Sequence, residues 1–424
     1  MAVMASAMDL FPDVETPETL VLQTPEWARV MQSLSANAHV HLPPNFSAFD
    51  SVEQAVQQAA SEQIDVLGAS NYYDYAVYHD FAARARAARI VPLFGIEIIA
   101  LLEDLQRAGV RINDPVNPGK MYLCGKGIVH FAPLSTEAMP LLEEIRRKDA
   151  TRMESMVAQL ACLFAEAGVP TGLDALTVRQ QVMQRHGCPL ETVYLQERHV
   201  AQAFQEALFE RVPLTERRAF LERLFRSAPQ IDPGSAADVQ NAIRSYLMKA
   251  GRPAYVEETF VGFDHAYQLV LAMGGIPCYP TLADGAPTLC PFEDPVEQLI
   301  DVLRARHIYC AEFIPVRNTP EVLTRYVLAM RAAGIVVTAG TEHNTREMLP
   351  LVPACAGGVP IPAEVQHIFR EGACVVVAHQ YLRMREYPGF VDAQGRLDPA
   401  YATDEDRIAA YSKLGAAVIA RYRR

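Results

Sequence analysis

The chain has 424 residues, of which 50% are hydrophobic and 21% are charged, with a formal net charge of −12 and a pI near 5.4. This composition is typical of a globular protein with one large domain and an insertion, or with two domains. The acidic balance argues against a general nucleic-acid or anionic-membrane binder. The eight cysteines form no CxxC pair, and no apolar run reaches the roughly 18 residues of a membrane span. We therefore expect a cytoplasmic protein with reduced thiols.

The first third of the chain alternates apolar runs with helical patterns. Residues 1–34 predict a loosely structured lead-in with one short helix, and residues 35–140 predict the first part of a barrel. Within that part, strands are predicted at "ANAHVHL", "IDVLGAS", "VPLFGIEIIA" and "GIVHFAPL", and helices at "SVEQAVQQAASEQ" and "YHDFAARARAARI". Short strands that alternate with longer helices indicate βα units in a parallel sheet or barrel.

The pattern changes in the middle of the chain and then returns. Residues 141–250 are almost entirely helical in pattern, as in "TRMESMVAQLACLFAEAG" and "RHVAQAFQEALFERV", and predict an α-helical insertion. Residues 251–348 resume the alternation and predict the second part of the barrel, with strands at "IPCYP", "IYCAEFIPV" and "IVVTAGTEHN". Residues 349–424 predict a mixed C-terminal extension.

Polar residues cluster where the predicted strands end. In "NAHVHLPPN" the histidines at 39 and 41 share one face of an extended segment, an arrangement that suits a metal ion. Because the carboxyl ends of parallel strands meet at one rim, we expect several such groups to converge there. The polar strand-end residues are His39, His41, Asn71 to Asp74, Glu97, His130, Glu312, Glu342 and His343.

The order of these motifs resembles that of the PHP superfamily, the polymerase and histidinol phosphatase superfamily of metal-dependent phosphoesterases. The resemblance covers roughly residues 35–345 and is carried by "HVH", "IDVLGASNYYDY", "VPLFGIEI", "GIVHF", "QERHVAQAF", "GGIPCYP" and "TAGTEHN". It is closest to the branch with a helical insertion. It implies an α/β fold, a distorted (β/α)7 TIM-like barrel of the PHP type, with the α-helical insertion as a cap.

The resemblance also implies a ligand set for divalent ions. We expect one to three ions of zinc, manganese or iron per chain, held by His39, His41, Glu97, His130, His199 and Glu342. The chain departs from the family pattern at several positions. Asn71 and Tyr72 replace an Asp-His pair, Tyr279 stands before Pro280 in place of a histidine, and "TEHN" alters the last motif. The remaining ligands suffice for one or two ions.

Two basic segments predict contacts with an anion. Lys120 and Lys126 lie among glycines in "NPGKMYLCGKG", and Arg317 follows the strand that bears Glu312. Lysine can bind a phosphate or carboxylate as a point charge, so we expect a small and anionic substrate. Surface charge is the alternative explanation for each of these residues. The sequence carries no signal for an oligomeric state.

The leading functional hypothesis is a PHP-type metal-dependent hydrolase, a phosphoesterase that uses metal-activated water on a small phosphorylated metabolite. Its catalytic groups would be His343, Tyr72 and Asp74. A second hypothesis is a remodelled single-metal enzyme, isomerase-like or amidohydrolase-like, that acts on a sugar or carbonyl compound. The third is a divergent PHP domain without catalysis.

Overall fold

The fold is seen in a computed structural model, which describes residues 16–286 and 288–424. Residues 1–15 of the predicted lead-in lie outside the described residues. In the described part, seven strands form one sheet in chain order. They are β1 (Ala36–Val40), β2 (Val66–Asn71), β3 (Val91–Leu101), β4 (Lys120–Lys126), β5 (Ile276–Thr281), β6 (Cys310–Phe313) and β7 (Val336–Ala339).

The sheet curls into a nearly closed barrel. A bridge between Val40 and Glu342 joins β1 to the segment after β7. There the His41 N–H donates to the Glu342 carbonyl at 2.8 Å, and the Glu342 N–H donates to the His39 carbonyl at 2.9 Å. The distorted seven-stranded TIM-like barrel predicted from the sequence is thereby confirmed. This closure also places the segment after β7 beside the two histidines of β1.

One strand of the barrel is reversed, contrary to the all-parallel prediction. The strand β4 pairs antiparallel with both β3 and β5, whereas the other neighbouring strands pair in parallel. The strand predicted at residues 127–134 is wrong, because that segment is a loop that follows β4. In the register of the sheet, Lys126 at the end of β4 pairs with Ile276 at the start of β5. The chain after β4 therefore emerges at the amino ends of the parallel strands.

Helices surround the barrel and form a separate layer above it. They are α1 (Pro17–Gln23), α2 (Trp27–Ser33), α3 (Val52–Ser61), α4 (Tyr78–Ala87), α5 (Glu103–Arg107), α6 (Ala138–Glu166), α7 (Ala175–His186), α8 (Glu197–Arg211), α9 (Leu214–Phe225), α10 (Ala236–Ile243), α11 (Phe263–Ala272), α12 (Val296–Ala305), α13 (Pro320–Ala332), α14 (Ala363–Met384) and α15 (Asp404–Tyr422). A π-helix spans Arg244–Met248, and 3-10 turns span Leu190–Thr192, Ala283–Gly285, Pro315–Arg317 and Ala356–Gly358.

Most of the helices between β4 and β5 share a second hydrophobic core, whereas α11 and the first part of α6 pack into the barrel core. This second core is formed by residues from Met153 to Ala254 and is distinct from the barrel core. Its helices carry local start and stop signals: Asp174 caps α7 by accepting the Thr177 N–H at 2.7 Å, and Gly187 ends it in the left-handed conformation. We call these helices and their connections, residues 138–254, the helical cap.

The C-terminal extension is more regular than predicted. The apolar run "ACVVVAH" lies inside the 22-residue helix α14, which is buried along most of its length against the barrel and α15. A helix that is apolar on all sides is typical of such a buried position. Within residues 16–286 and 288–424, no helix is both long enough and apolar enough to cross a membrane.

Candidate metal and anion site

The two histidines of the HxH motif leave the end of β1 side by side. Their Nε2 atoms lie 3.4 Å apart, while Val40 between them packs in the hydrophobic core on the opposite face of β1, as the alternation of an extended strand requires. Both histidines are buried, with exposed fractions of 2% for His39 and 0% for His41. Gly340, just after β7, makes room for this pair, because a Cβ there would lie only 2.4 Å from the His39 Cβ.

Glu97 on β3 brings a carboxylate to the same point. Its Oε2 lies 3.3 Å from the His39 Nε2 and 3.2 Å from the His41 Nε2. Burial alone would raise the pKa of Glu97, but the two adjacent imidazoles hold the pKa well below its usual range. We call His39, His41 and Glu97 the triad.

The triad fits a divalent metal ion. Its three donor atoms are separated by 3.2–3.4 Å, the spacing of ligands that share one ion at bonds of about 2.0–2.2 Å in a tetrahedral arrangement. The Glu97 Oε2 is buried and has no hydrogen-bond partner in the described residues, a costly state that an ion would relieve. Two imidazoles and one carboxylate suit zinc, iron and related metals.

A second group, His39, Cys124 and Glu312, also meets the geometric requirement for an ion among the described residues. The ammonium of Lys126 lies 2.6 Å from the Glu312 Oε2 and already neutralises that carboxylate. The His39 Nδ1 donates to the Glu312 Oε1 at 2.8 Å. We therefore read this second group as support for the triad, in which Glu312 fixes the imidazole that a metal would bind.

Tyr72 supports the triad from the other side. Its hydroxyl donates to the Glu97 Oε1 at 2.5 Å, and its ring stacks on the His41 ring with centroids 5.3 Å apart. Burial and the neighbouring Glu97 charge raise the pKa of Tyr72 well above its usual value. Tyr72 thus stays protonated and acts as a donor, and the adjacent Tyr73 adopts a left-handed backbone (φ 53°) that turns the chain away after β2.

His39 and Glu97 of the triad line a cavity of about 470 Å³ between the barrel and the helical cap, whereas His41 is fully buried beside them. Two of the predicted anion-binding residues line it. Arg317 forms a bidentate ion pair with Glu342, with one Nη1–Oε1 distance of 2.9 Å. Lys120 lies 3.3 Å from Asp114 and 3.4 Å from Glu258. Both cations are at the cavity wall, but each already has a carboxylate partner.

Lys126, the third predicted anion-binding residue, lies elsewhere. It is 2% exposed, is not part of the cavity wall, and contacts the Ala38 carbonyl and the Ser70 hydroxyl in addition to Glu312. The reversal of β4 places Lys126 opposite Ile276, at the amino ends of the parallel strands. The predicted anion contact is therefore replaced by a role inside the barrel, next to Glu312.

Two of the predicted metal-binding histidines do not reach the triad. His130 lies in the loop after β4, and its N–H donates to the Met273 carbonyl just before β5. The reversal of β4 thus carries it to the opposite end of the barrel. His199 lies in the first turn of α8, where its Nδ1 accepts the Gln196 N–H at 3.1 Å in a capping arrangement. Neither residue lines the cavity.

The segment after β7 separates its two predicted site residues. Glu342 and His343 both have left-handed backbones, with φ of 59° and 52°, which turn successive side chains apart. Glu342 faces the cavity, whereas His343 stacks on Phe49 with centroids 4.9 Å apart and bonds through Nε2 to the Leu349 carbonyl. The predicted catalytic role of His343 would require a different conformation of this segment.

Asp74, the third predicted catalytic residue, lies outside the cavity wall. Its carboxylate accepts the Ala76 N–H at 3.0 Å and lies 3.7 Å from Arg146. Burial raises the pKa of Asp74 despite these contacts. These contacts indicate that Asp74 stabilises the loop after β2.

Sequence reasoning missed most of the charged groups that the helical cap contributes. Arg152, Glu197, Arg198, Arg244 and Lys249 all line the cavity. They come from α6, α8, the π-helix and the segment after it, so no local pattern links them. The sequence predicts no role for Glu312 beyond that of a polar strand-end residue. A carboxylate inside the apolar stretch "CAEF" needs a buried partner, as Glu97 does in "GIEI".

Two positions that depart from the family pattern are occupied by locally bonded side chains. The Asn71 amide exchanges two hydrogen bonds of 2.8 Å with the Leu42 backbone. The Tyr279 hydroxyl donates to Glu293 at 2.9 Å. Neither group points a free donor atom toward the triad.

Comparison with known proteins gives two similar structures. No family model and no curated protein matches the sequence. The fold is similar to an amidohydrolase from Chromobacterium violaceum with bound sulfate and no metal, with a TM-score of 0.50. It is also similar to a protein assigned as a metal-dependent phosphoesterase from Bifidobacterium adolescentis, with a TM-score of 0.53. Each is 16% identical to this chain, and each alignment covers 79% of this chain and 96% of the other. At this identity the comparisons establish the barrel fold.

Proposed function

We propose that this protein is a metal-dependent hydrolase that cleaves a phosphoester of a small anionic metabolite. The observation that carries the proposal is the convergence of the His39 Nε2, the His41 Nε2 and the Glu97 Oε2 within 3.2–3.4 Å, with His39 and Glu97 lining a cavity that also holds several cations. The PHP-like order of the motifs and the two structural neighbours agree with this reaction class. One ion per chain is the number that the triad supports.

The triad would hold the ion, and the residues behind it would fix its ligands. A divalent ion supplies Lewis acidity, which lowers the pKa of water and polarises a phosphoryl oxygen. Glu312 accepts the His39 Nδ1–H and so keeps the Nε2 lone pair directed at the ion. Tyr72 does the same for Glu97 by donating to its Oε1, which leaves Oε2 free for the ion.

Positive side chains supply charge that a second ion would otherwise provide. Arg198 lines the cavity over the Phe46 ring and has no ion pair within the described residues. Arg317 stands nearby in its pair with Glu342. Guanidinium groups aimed at a reacting phosphoryl group stabilise the charge that develops on it during transfer. We assign this role to Arg198 first, because it has no carboxylate partner.

We propose Tyr122 as the proton donor to the leaving oxygen. Its hydroxyl makes no hydrogen bond within the described part of the chain, and the residue lines the cavity. Burial raises the pKa of Tyr122 to about 12 although the Lys120 charge opposes this, so the hydroxyl is protonated at neutral pH. His343 and Asp74 do not line the cavity, so we do not propose either of them as the proton donor.

Metal content and hydrolysis test the proposal together. Protein purified without added metal or chelator should contain close to one equivalent of a divalent ion by elemental mass spectrometry, and H39A/H41A should contain none. Wild type should release inorganic phosphate from members of a phosphomonoester panel, lose this activity with a chelator and regain it with metal. Protein without metal after incubation with zinc, manganese and iron would refute the proposal.

A single-metal enzyme for amides or other carbonyl compounds is the second candidate. It is favoured by the presence of only one unshared ligand triad in the described residues, since Asn71 and Tyr279 are bonded elsewhere. One Lewis-acidic ion is sufficient for such chemistry. A protein that holds one equivalent of metal, releases no phosphate and cleaves N-acyl or lactone substrates would decide for this candidate.

A further inference from the structure

The helical cap carries three cations that share a single carboxylate. Glu197 lies 3.2 Å from Arg152, 3.6 Å from Arg244 and 2.6 Å from Lys249. All four residues line the cavity. They come from α6, from the start of α8, from the π-helix and from the segment after it, so the folding of the cap gathers them at one place.

This group has an excess of positive charge in a confined space. Side-chain exposure is 5% for Arg152, 20% for Arg244 and 32% for Lys249. The Arg244 Nε is buried and has no hydrogen-bond partner among the described residues. Burial and the charge of Arg244 lower the pKa of Arg198, which follows Glu197 in the chain, to about 10. Confined cations of like charge are costly unless an anion joins them.

The remaining acidic group nearby does not balance the excess. Asp149 lies on the same helix as Arg152 and also lines the cavity. Burial raises the pKa of Asp149 to about 7, so it is only partly ionised at neutral pH. Asp114 and Glu258 pair with Lys120 instead, and the one net negative charge of this group offsets only part of the excess.

We propose that Arg152, Arg244 and Lys249 form an anion subsite that binds a second anionic group of the substrate, at the cap side of the cavity. Glu197 holds the three cations together before the ligand enters, and the free Arg244 Nε provides a donor for it. Planar guanidinium groups match phosphate and carboxylate oxygens in pairs. This inference rests on the proposed function for the first anionic group, which the triad and Arg198 would receive.

The substrate class that follows is a small molecule with two anionic groups. One group is the phosphoester at the triad, and the other is a phosphate or a carboxylate bound by the cap. The cavity of about 470 Å³ has the size of sites that enclose small organic ligands. A monoanionic ester would leave the cap cations uncompensated, so we expect it to be a poorer substrate.

Binding of inorganic anions to chelator-treated protein tests the subsite without any need for activity. We expect inorganic phosphate to bind wild type in isothermal titration calorimetry, and R244Q and K249Q to bind it at least tenfold more weakly. R185Q is the matched control, since Arg185 lies in the cap, pairs with Glu206 and is not part of the cavity wall. Titration with succinate distinguishes a carboxylate subsite from one that requires phosphate.

Three outcomes would overturn the subsite. The first is that wild type binds neither phosphate nor succinate. The second is that R244Q and K249Q bind phosphate as tightly as R185Q does. The third is that R198Q alone removes phosphate binding, which would place the anion at the triad end of the cavity. Urea unfolding of each variant shows that it is folded, and Lys249, as the most exposed of the three, is the safest position to change. If the anion maps to the cap but no phosphoester is cleaved, the subsite stands and the proposed function falls.

Discussion

Replacing Glu312 by glutamine should weaken metal binding although Glu312 is not itself a member of the triad. Glutamine can still accept the His39 Nδ1–H through its amide oxygen, but it removes the negative charge that makes the imidazole a stronger ligand. Changes to such supporting carboxylates lower metal affinity by about 10–100-fold, or about 1.4–2.7 kcal/mol. We expect this loss for E312Q in competition titrations against a chromophoric chelator.

The same substitution should also destabilise the fold, because Lys126 loses the carboxylate at 2.6 Å. Removing one partner of a buried ion pair costs about 3–5 kcal/mol, to be measured by urea unfolding of chelator-treated protein. The double variant K126M/E312Q removes both charges and should recover most of this stability. Its metal affinity should stay low, since the negative charge behind His39 is still absent.

A matched control separates the two effects from a general response to a lost buried carboxylate. Glu293 is as buried as Glu312, but its oxygens accept from the Tyr279 hydroxyl and from the Leu282 and Ala283 N–H groups. E293Q should bind metal like wild type. Folded E312Q with an affinity within about threefold of wild type would refute the role of Glu312, and so would full recovery of affinity in K126M/E312Q.

Three further variants test other parts of the structure. G340A should bind metal at least tenfold more weakly, as measured by the same titration, because its Cβ would displace His39; unchanged affinity would contradict this. Y122F should lower kcat on phosphomonoesters by about 10²-fold or more with KM nearly unchanged, and an equal kcat would exclude Tyr122 as the proton donor. His379 accepts the Phe390 N–H and donates to the Gly274 carbonyl, and burial lowers its pKa to about 3. Since the unfolded chain then binds the proton more readily, stability should fall as the pH drops below about 6.5, by about 2 kcal/mol between pH 7 and pH 5. Urea unfolding of H379Q should show a flatter dependence, and an identical one would refute this.

The parts of the site that could be predicted from the sequence depend on local patterns. The alternation in "NAHVHLPPN" places His39 and His41 on one side of β1 whatever the rest of the fold does. A carboxylate in the apolar stretch "GIEI" requires a buried partner, and the triad provides it for Glu97. These two signals are independent of strand direction, and the geometry of both is as expected.

The parts that could not be predicted depend on contacts between distant segments. His130 follows a strand that looks ordinary in sequence, and only its antiparallel pairing with β3 and β5 moves it to the far end of the barrel. The same pairing places Lys126 at the amino ends of the parallel strands. The left-handed backbone at Glu342 and His343 reverses which of two adjacent polar residues faces the cavity. The local residue pattern predicts none of these features.

The departures from the family pattern are coherent when the site is considered as a whole. Here Asn71 is bonded to the Leu42 backbone, and Tyr279 is bonded to Glu293. The triad remains complete, and positive charge is provided by Arg198 and by the cap residues around Glu197. One triad with fixed side-chain charges beside it is the arrangement expected of a site that uses positive side chains where other sites use additional ions. It is consistent with the one ion that we propose, and a doubly anionic substrate would match the positive charge of the cap.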